Sequence, residues 1–474
     1  MNEYDSELIR SILSKAGYTF AQGEDAADII LLNTCSVRDN AVRRVRGHIH
    51  DIYHEHKGEK PIIGVLGCMA TNFREALLED KNLKIDFIAG PDSYKRLPEL
   101  IRKCCAAKVG ANGCPPLRKA FDITLSEFET YSDVIPARVP GVNAWIAVMR
   151  GCDNFCTFCV VPYARGRERS RSPENIIEEA RRAADEGFSQ VTLLGQNVNS
   201  YFYPLDADKN NPRASFLTEG KKRQGDGATF ASLLAKVAQV DGIKRIRFMS
   251  PHPKDFPPEL LETVAQNPKV CKHIHLPLQS GNDRILKLMN RGYTQEDYFR
   301  LVEHIRKLCP GISLTTDIIV GFPTETDSDF KDTFEIMRDL EFDSAFIFKY
   351  SPRPGTVAAK RYADDVSADK KTGRITKLNE IQKQISLKKN KAFVGKVLEV
   401  LIEQKGTSRS NTDFQGRTDG NKLVILKTEG LVPGEIIPVT ITDASANTLK
   451  GQPYNQNKKW SPPGLKPGSL GRNT

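Results

Sequence analysis

The stretch AWIAVMRGCDNFCTFCVVPYARGRERSR, residues 144–171, holds the pattern from which the fold can be predicted. It begins with a short apolar run typical of a buried β-strand, and the run leads directly into three cysteines spaced C-x-x-x-C-x-x-C. Three thiolates at this spacing can turn towards one point, which suits a cuboidal 4Fe-4S cluster with one iron left open. Cys152, Cys156 and Cys159 are therefore predicted to hold such a cluster. The alternative is a zinc ion completed by a distant His or Cys.

Strands and helices alternate regularly around this stretch. Between residues 138 and 372, helical patterns such as SPENIIEEARRAADEG separate six apolar runs. The six predicted strands are AWIAVMRG, QVTLLGQN, IKRIRFMSP, HIHLPLQSG, LTTDIIVGFP and SAFIFKYSP. Six β/α units predict an open, partial (β/α) barrel, in which chemistry gathers at the carboxyl ends of the strands.

The N-terminal residues 1–105 show a second α/β pattern. Helical segments alternate with the apolar runs DIILLNTC and PIIGVLGC, which predicts a parallel sheet covered on both faces. Cys35 and Cys68 stand at the carboxyl ends of these two strands, where open α/β sheets place ligands. Residues 106–137 are predicted to form a linker with a strand near FDITL.

The C-terminal part differs in character from both α/β units. A long basic helix, GRITKLNEIQKQISLKKNKAF, leads into short strands separated by turn signals, so residues 389–453 are predicted to form a small antiparallel β-barrel. The polar segment 204–228 is predicted to be an exposed insertion, and residues 454–474 a disordered tail.

Composition narrows the class of protein. The 69 Lys and Arg residues outnumber the 59 Asp and Glu residues, and the net charge of +10 favours a polyanionic partner such as nucleic acid. No apolar run approaches the ~18 residues of a membrane-spanning helix, and the start has no signal-peptide core, so a cytoplasmic protein is expected. In a reducing compartment the ten cysteines favour ligands, catalytic groups or buried residues over disulfides. Ordinary packing is expected for Cys104, Cys105, Cys114, Cys271 and Cys309.

Four segments together resemble the methylthiotransferases of the radical S-adenosylmethionine (SAM) superfamily. They are CDNFCTFCVVPYARGRERSR, TLLGQNVNSY, HLPLQSGNDRILKLMNRGYT and IIVGFPTET. GRERSR and LLGQNVNSY favour the MiaB type over relatives that modify threonylcarbamoyl adenosine or a ribosomal-protein aspartate. The likeness extends to about residue 453, because the N-terminal unit resembles the methylthiotransferase domain and the last unit resembles a TRAM domain, an RNA-binding barrel.

The resemblance implies an enzyme that adds a methylthio group to C2 of N6-isopentenyladenosine at position 37 of tRNA. One SAM would donate the methyl group, and a second, bound to the open iron, would be cleaved to a 5′-deoxyadenosyl radical. The expected partners are the tRNA anticodon stem-loop and an electron donor such as flavodoxin or ferredoxin, and a monomer is expected. The alternatives are a methylthiotransferase of another substrate and a non-catalytic RNA-binding protein with a structural zinc.

The resemblance also implies a second 4Fe-4S cluster, at which the transferred sulfur is methylated and delivered. NTCSVRDNAVRR and GVLGCMA match the motifs around two of its ligands, so Cys35 and Cys68 are expected to bind it. The first ligand of the family lies in a G-C-Q-M-N segment, whereas this sequence starts at MN. A ligand upstream of Met1 is expected, with a misplaced start, and the alternative is a protein that lacks one ligand.

The resemblance also implies residues that contact SAM, one within the cysteine motif and the others at the ends of predicted strands. Phe158 precedes the third cysteine, where an aromatic residue of the superfamily lies against the SAM adenine. The residues expected near the methionine moiety are Gly195, Gln196 and Asn197, and those expected near the ribose or adenine are Asp317, Gly321 and Glu325. A purely structural role is the alternative for each of these six.

Two charged patterns remain. Arg165, Arg167, Arg169 and Arg171 recur at every second position, so in an extended segment they would share one face and could bind RNA phosphates. A solvated charged loop is the alternative. The histidines of HIHDIYHEH (His48, His50, His54 and His56) lack an H-E-x-x-H motif and are interpreted as a polar helix face.

Overall fold

The computed structural model describes residues 1–35, 39–56, 60–108, 120–204, 226–407 and 410–454. The N-terminal unit is a four-stranded parallel sheet in the order β1-β2-β3-β4. Its helices and strands are α1 (Asn2–Lys15), β1 (Ile29–Asn33), α2 (Asp39–Glu55), β2 (Ile62–Leu66), α3 (Cys68–Glu79), β3 (Phe87–Ala89), α4 (Leu97–Lys108) and β4 (Ala120–Asp122). The strand predicted near FDITL is confirmed as β4, and it belongs to this sheet. Residues 109–119 of the predicted linker lie outside the described residues.

Both faces of this sheet are covered by helices. Tyr4 and Ile101, from α1 and α4, pack on one face, and Ile49 and Met69, from α2 and α3, pack on the other. Every residue of β2 is buried, as expected for a strand between two helical layers. The first of these cores also includes Ala147 of the central unit, so the two units share a hydrophobic core.

The central unit contains the six predicted strands in two parallel three-stranded sheets, β5-β8-β11 and β12-β13-β14. An isolated parallel bridge joins Ile246 in the first sheet to Val270, three residues before the first strand of the second sheet. Its elements are β5 (Asn143–Ala147), β6 (Met149–Arg150), α5 (Val161–Arg165), β7 (Arg169–Ser170), α6 (Pro173–Asp185), β8 (Gln190–Leu194), β9 (Phe202–Pro204), β10 (Gly227–Thr229), α7 (Phe230–Val237), β11 (Arg245–Phe248), α8 (Pro258–Gln266), β12 (His273–His275), α9 (Asp283–Leu288), α10 (Gln295–Leu308), β13 (Ser313–Val320), α11 (Asp327–Leu340), β14 (Ser344–Lys349) and α12 (Val357–Arg361). The predicted open, partial (β/α) barrel is confirmed.

Capping explains where the helices of this barrel begin. The Ser172 side chain accepts a hydrogen bond from Asn175 N at the start of α6, and Thr294 and Thr326 form capping boxes at the starts of α10 and α11. The predicted insertion lies between β9 and β10, which pair antiparallel, and its residues 205–225 are outside the described part of the chain.

The C-terminal unit is a closed five-stranded barrel, which confirms the prediction. It follows α13 and has the strand order β15-β16-β17-β19-β18, with antiparallel neighbours except for the parallel pair β17 and β19. Its elements are α13 (Ala368–Lys391), β15 (Val397–Thr407), β16 (Ser410–Thr418), β17 (Leu423–Leu426), β18 (Ile436–Ala444) and β19 (Leu449–Pro453). The predicted disordered tail lies outside the described residues from 455 onwards. None of the helices that the structure describes combines the length and apolar character of a membrane-spanning segment.

The barrel docks on the amino-terminal ends of the central strands. Arg245 Nη1 donates to the carbonyl oxygen of Arg417 over 2.6 Å, and Arg247 Nη2 donates to that of Thr418 over 2.8 Å. Both donors lie in β11, which begins at Arg245. The barrel therefore lies at the opposite end of the central unit from the cysteine-rich loop, which follows the carboxyl end of β5.

Candidate active site

The three cysteines of the C-x-x-x-C-x-x-C motif lie on one loop between β6 and α5. Cys152 and Cys156 are buried, and Cys159 is half-buried. The loop begins at Gly151, which has a φ of +79°. A Cβ atom there would lie 1.9 Å from the carbonyl oxygen of Arg167, so only glycine fits this close approach.

The segment after α9, in the central unit, holds this loop in place through hydrogen bonds. Thr157 N donates to the carbonyl oxygen of Met289 over 3.0 Å, and the Asn290 amide donates to carbonyl oxygens of the loop. Arg291 is buried, and its Nη1 donates to Cys156 Sγ over 3.2 Å. Arg291 is not among the predicted site residues, although it lies in the segment HLPLQSGNDRILKLMNRGYT.

The donor set of this loop fits an iron–sulfur cluster. Burial raises the pKa of Cys152, and it raises the pKa of Cys159 to about 12. These thiols therefore stay protonated unless a positive charge compensates the thiolates, and iron ions supply that charge. In the described part of the chain, no three His, Cys, Asp or Glu side chains form a group that could hold a single metal ion.

A cleft of ≈ 140 Å³ opens beside Cys159 at the carboxyl ends of β13 and β14. Phe158 and Asp317, both predicted SAM contacts, line it together with Cys159. His275 Nε2 lies 3.3 Å from Asp317 Oδ2. Tyr350 also lines the cleft, and no motif in the sequence pointed to it. The structure thus brings two predicted contacts and one cluster ligand to the place where parallel barrels bind ligands.

Gly195, Gln196 and Asn197 follow β8 and do not line this cleft. Asn197 is buried, and its amide donates to Asp255 Oδ2 over 3.0 Å. Gln196 Oε1 is buried and has no hydrogen-bond partner among the described residues. Gln196 Oε1 could therefore accept a hydrogen bond from SAM. The contact of all three residues with SAM stays a prediction.

Gly321 and Glu325 follow β13, which ends at Val320, and are also absent from the lining of the cleft. Gly321 N and Arg374 Nη1 each donate to Glu325 Oε2 over 2.6 Å. Burial raises the pKa of Glu325 to about 7. In this structure the carboxylate ties β13 to α13, and its contact with SAM stays a prediction.

The N-terminal cysteines lie side by side at the edge of their sheet. Asn33 of β1 pairs with Leu66 of β2, and Cys35 and Cys68 each follow two residues later. Burial raises the pKa of Cys68, and the charge of Cys35 raises it further, so the two thiols lie within electrostatic reach. The charge of Cys68 also raises the pKa of Cys159. Arg165, at the end of α5, donates a hydrogen bond to Cys68 Sγ over 3.1 Å, so the two cysteine sites adjoin at the interface between the N-terminal and central units.

The prediction that the four arginines share one face of an extended segment is wrong. The segment is not extended, because α5 ends at Arg165, Gly166 adopts a φ of +72°, and only Arg169 and Ser170 form a strand. Three of the four are buried in ion pairs: Arg165 with Asp5, Arg169 with Asp92 and Arg171 with Glu179. Their guanidinium groups are occupied by carboxylates, two of them from the N-terminal unit, and are not available to RNA phosphates in this structure.

Arg167 differs from the other three. Its side chain is 52% exposed and its Nε lies 2.8 Å from Asp153 Oδ1. An exposed ion pair of this kind contributes little stability, so the guanidinium can exchange its partner at small cost. Contact with RNA phosphate stays a prediction for Arg167.

Comparison with known protein families matches each unit separately. Residues 146–337 match the radical SAM superfamily, residues 1–90 match the uncharacterized protein family UPF0004, and residues 391–454 match the TRAM domain. Among solved structures, the radical SAM methyltransferase TsrM from Kitasatospora setae has a TM-score of 0.52 at 17% identity, covering 75% of this chain and 71% of its own. At this identity the likeness concerns the fold alone.

Relatives that match over nearly the whole chain are more specific. The tRNA-2-methylthio-N(6)-dimethylallyladenosine synthase of Phocaeicola vulgatus is 43% identical over 458 residues, covering 95% of this chain and 93% of that protein. The CDK5RAP1-like protein of Caenorhabditis elegans is 43% identical over 470 residues, covering 96% of this chain and 83% of that protein. The predicted resemblance is confirmed, and the chain belongs to the MiaB-type methylthiotransferases, enzymes of the radical SAM superfamily.

Proposed function

We propose that this enzyme adds a methylthio group to C2 of N6-isopentenyladenosine at position 37 of tRNA. The observation that carries the proposal is the 43% identity to the synthase of Phocaeicola vulgatus over 95% of this chain. The aligned region covers nearly the whole chain, and separate family matches fall in the N-terminal, central and barrel units, the last of which would bind RNA.

As a radical SAM enzyme, the chain uses an iron–sulfur cluster and SAM. Cys152, Cys156 and Cys159 would hold the cluster, which together with SAM supplies the 5′-deoxyadenosyl radical needed to remove an unactivated hydrogen. Arg291 fixes the Cys156 sulfur through its hydrogen bond. Phe158 and Asp317 wall the cleft next to Cys159, where they would orient the adenosine of SAM and exclude water from it.

Cys35 and Cys68, with a further ligand, would hold a second 4Fe-4S cluster at which the transferred sulfur is methylated by another SAM. Two observations support this assignment. Arg165, six positions after Cys159, donates a hydrogen bond to Cys68 Sγ, so the two cysteine sites adjoin at the interface, as a sulfur donor close to the radical source requires. In addition, three buried polar atoms around the site have no partner among the described residues: Thr34 Oγ1, Thr71 Oγ1 and Arg165 Nη1. Such orphaned atoms are typical of a site that holds a bound group.

The partner that this function requires is tRNA, through its anticodon stem-loop. The base at position 37 is exposed in the loop, so presenting it to the cleft costs little. The TRAM barrel and Arg167 would contact the RNA backbone. Reductive cleavage of SAM consumes an electron, so an electron donor such as flavodoxin or ferredoxin would also bind. The enzyme would act as a monomer.

Mass spectrometry of tRNA nucleosides tests the substrate. Cells that lack their own synthase should accumulate N6-isopentenyladenosine, and expression of this chain should restore its 2-methylthio derivative. A chain with Cys152→Ala is the matched control and should restore nothing. Restored methylthiolation of threonylcarbamoyl adenosine or of a ribosomal protein, without any change in the isopentenyl nucleoside, would reassign the substrate.

A further inference from the structure

Arg165 lies between the two cysteine sites and contacts one of them directly. It is the last residue of α5, six positions after Cys159, and it is only 3% exposed. Its Nε donates a hydrogen bond to Cys68 Sγ over 3.1 Å, across the interface between the central and N-terminal units. The central unit thus provides a cationic donor to a sulfur atom of the other site.

The orientation of this guanidinium is fixed by a buried carboxylate. Arg165 Nη2 donates to Asp5 Oδ2 over 2.6 Å, while Arg150 Nη2 donates to Asp5 Oδ1 over 2.7 Å. Asp5 is fully buried, so the ion pairs are shielded from water. A planar guanidinium can bind the carboxylate with one nitrogen and the sulfur with another, which a single lysine ammonium cannot do with the same geometry.

The central cysteine loop has an arginine that corresponds to Arg165. Arg291 Nη1 donates to Cys156 Sγ over 3.2 Å, and Arg291 is 5% exposed. Each site therefore has one buried guanidinium hydrogen-bonded to one cysteine sulfur. Hydrogen bonds to ligand sulfurs withdraw electron density from iron–sulfur clusters and raise their reduction potentials.

We propose that Arg165 is a positioning residue for the N-terminal sulfur centre, whose hydrogen bond to Cys68 orients that ligand and raises the reduction potential of the cluster. This inference rests on the proposed second cluster at Cys35 and Cys68. The potential of the radical-generating cluster would depend on its own arginine, Arg291, so substitutions at the two arginines should act on the two clusters separately. Arg165 Nη1 has no hydrogen-bond partner among the described residues, which leaves one more cationic donor at this site for an anionic sulfur group.

A redox titration followed by electron paramagnetic resonance tests the proposal on the full chain. In a background with Cys152, Cys156 and Cys159 replaced by Ala, only the N-terminal cluster remains, and Arg165→Lys should shift its potential to a more negative value. Arg182→Lys, at an exposed i,i+4 ion pair, and Arg291→Lys should leave that potential unchanged. An unchanged potential in Arg165→Lys, with the iron content of the parent, would overturn the proposal.

A second measurement needs no substitution of Arg165. With ¹⁵N-labelled arginine in the same background, pulsed electron paramagnetic resonance of the reduced cluster should show a weak ¹⁵N coupling from Arg165. Its absence contradicts the hydrogen bond even if Arg165→Lys fails to fold. If the background binds no iron while the full set of cysteines binds one cluster, the second cluster of the proposed function is refuted, and this inference with it. Two clusters without a coupling would refute the role of Arg165 alone.

Discussion

At the scale of single residues, the cysteine loop depends on a glycine. The sterically excluded Cβ at Gly151 would meet the Arg167 carbonyl, and the φ of +79° is unfavourable for any L side chain. Gly151→Ala should therefore destabilise the fold by more than the ~1–2 kcal/mol of left-handed strain alone and should lower the iron bound by the central cluster. Gly187→Ala is the matched control, because Gly187 has a φ of +92° with nothing within 4 Å of a Cβ. Urea denaturation and iron analysis of both variants would show whether the clash adds to the strain.

Substitution of the buried Asp5 should also lower the stability of the fold. Asp5→Asn removes the carboxylate that pairs with both Arg150 and Arg165 and leaves two buried guanidinium groups without a counter-charge. The free energy of unfolding should fall by about 3–5 kcal/mol. Asp133→Asn, at a 70% exposed side chain paired with Lys95, should change it by less than about 1 kcal/mol. Equal effects of the two substitutions in urea denaturation would contradict the buried network.

The same carboxylate predicts a dependence on pH. Burial alone would raise the pKa of Asp5, but Arg165 and Arg150 outweigh burial and lower it. A carboxyl group whose folded-state pKa is depressed stabilises the fold above its unfolded pKa of about 3.9, and this contribution is lost as the pH falls further. The difference in unfolding free energy between the parent chain and Asp5→Asn should therefore shrink as the pH falls below about 4. A difference that stays constant or grows in this range would be inconsistent with a paired Asp5.

At the scale of elements, local patterns predicted what local forces determine. The six central strands, α6 with its Ser172 cap and the strands of the C-terminal barrel all follow from apolar periodicity and capping signals. The arginine segment was predicted wrongly because the positions of Arg165 and Arg169 depend on carboxylates more than 70 residues away in sequence. Arg291 was missed for the same reason, since its partner Cys156 lies 135 residues away. Spacing within a segment contains no information about such partners.

The contacts between β11 and the C-terminal barrel should stabilise the docked barrel. Arg247 donates to the carbonyl oxygens of Thr418 and Asp419, so Arg247→Ala leaves both acceptors without this donor and should destabilise the docked barrel by about 1–3 kcal/mol. Amide hydrogen exchange in β16 and β17 should become faster, while SAM cleavage in the absence of RNA should be unchanged. Arg182→Ala, at an exposed pair on α6, is the control. Unchanged exchange in Arg247→Ala would mean that these contacts do not hold the barrel.

At the scale of the whole molecule, the two ends of the central unit have separate tasks in the proposed function. The cysteine sites lie at the carboxyl ends of the strands, and the barrel binds the amino-terminal ends, where Gly420 approaches Ser313 at the start of β13. A strand of 8 residues spans about 26 Å at ~3.3 Å per residue. An RNA that contacts both ends must therefore be longer than its reactive loop, as a stem-loop is.

The charge of the molecule gives a prediction for this contact. A net charge of +10 predicts that RNA binding depends on the release of counterions. The affinity for an anticodon stem-loop should fall by at least about tenfold between 50 and 200 mM salt. Fluorescence anisotropy with a labelled stem-loop would measure this, with a DNA hairpin of the same sequence as the control for contacts to the 2′-hydroxyl groups. An affinity that is independent of salt would exclude a backbone-dominated interface.

In the proposed function, the loop of Cys152, Cys156 and Cys159 would hold the cluster that supplies, with SAM, the radical for methylthiolation of tRNA. The most direct test combines anaerobically reconstituted enzyme, SAM, a reductant and tRNA that carries N6-isopentenyladenosine. Mass spectrometry should detect the 2-methylthio nucleoside together with 5′-deoxyadenosine and S-adenosylhomocysteine, and Cys152→Ala should abolish 5′-deoxyadenosine and the methylthio product. Formation of 5′-deoxyadenosine by Cys152→Ala, or an active parent enzyme that leaves the isopentenyl nucleoside unmodified, would contradict this function of the loop.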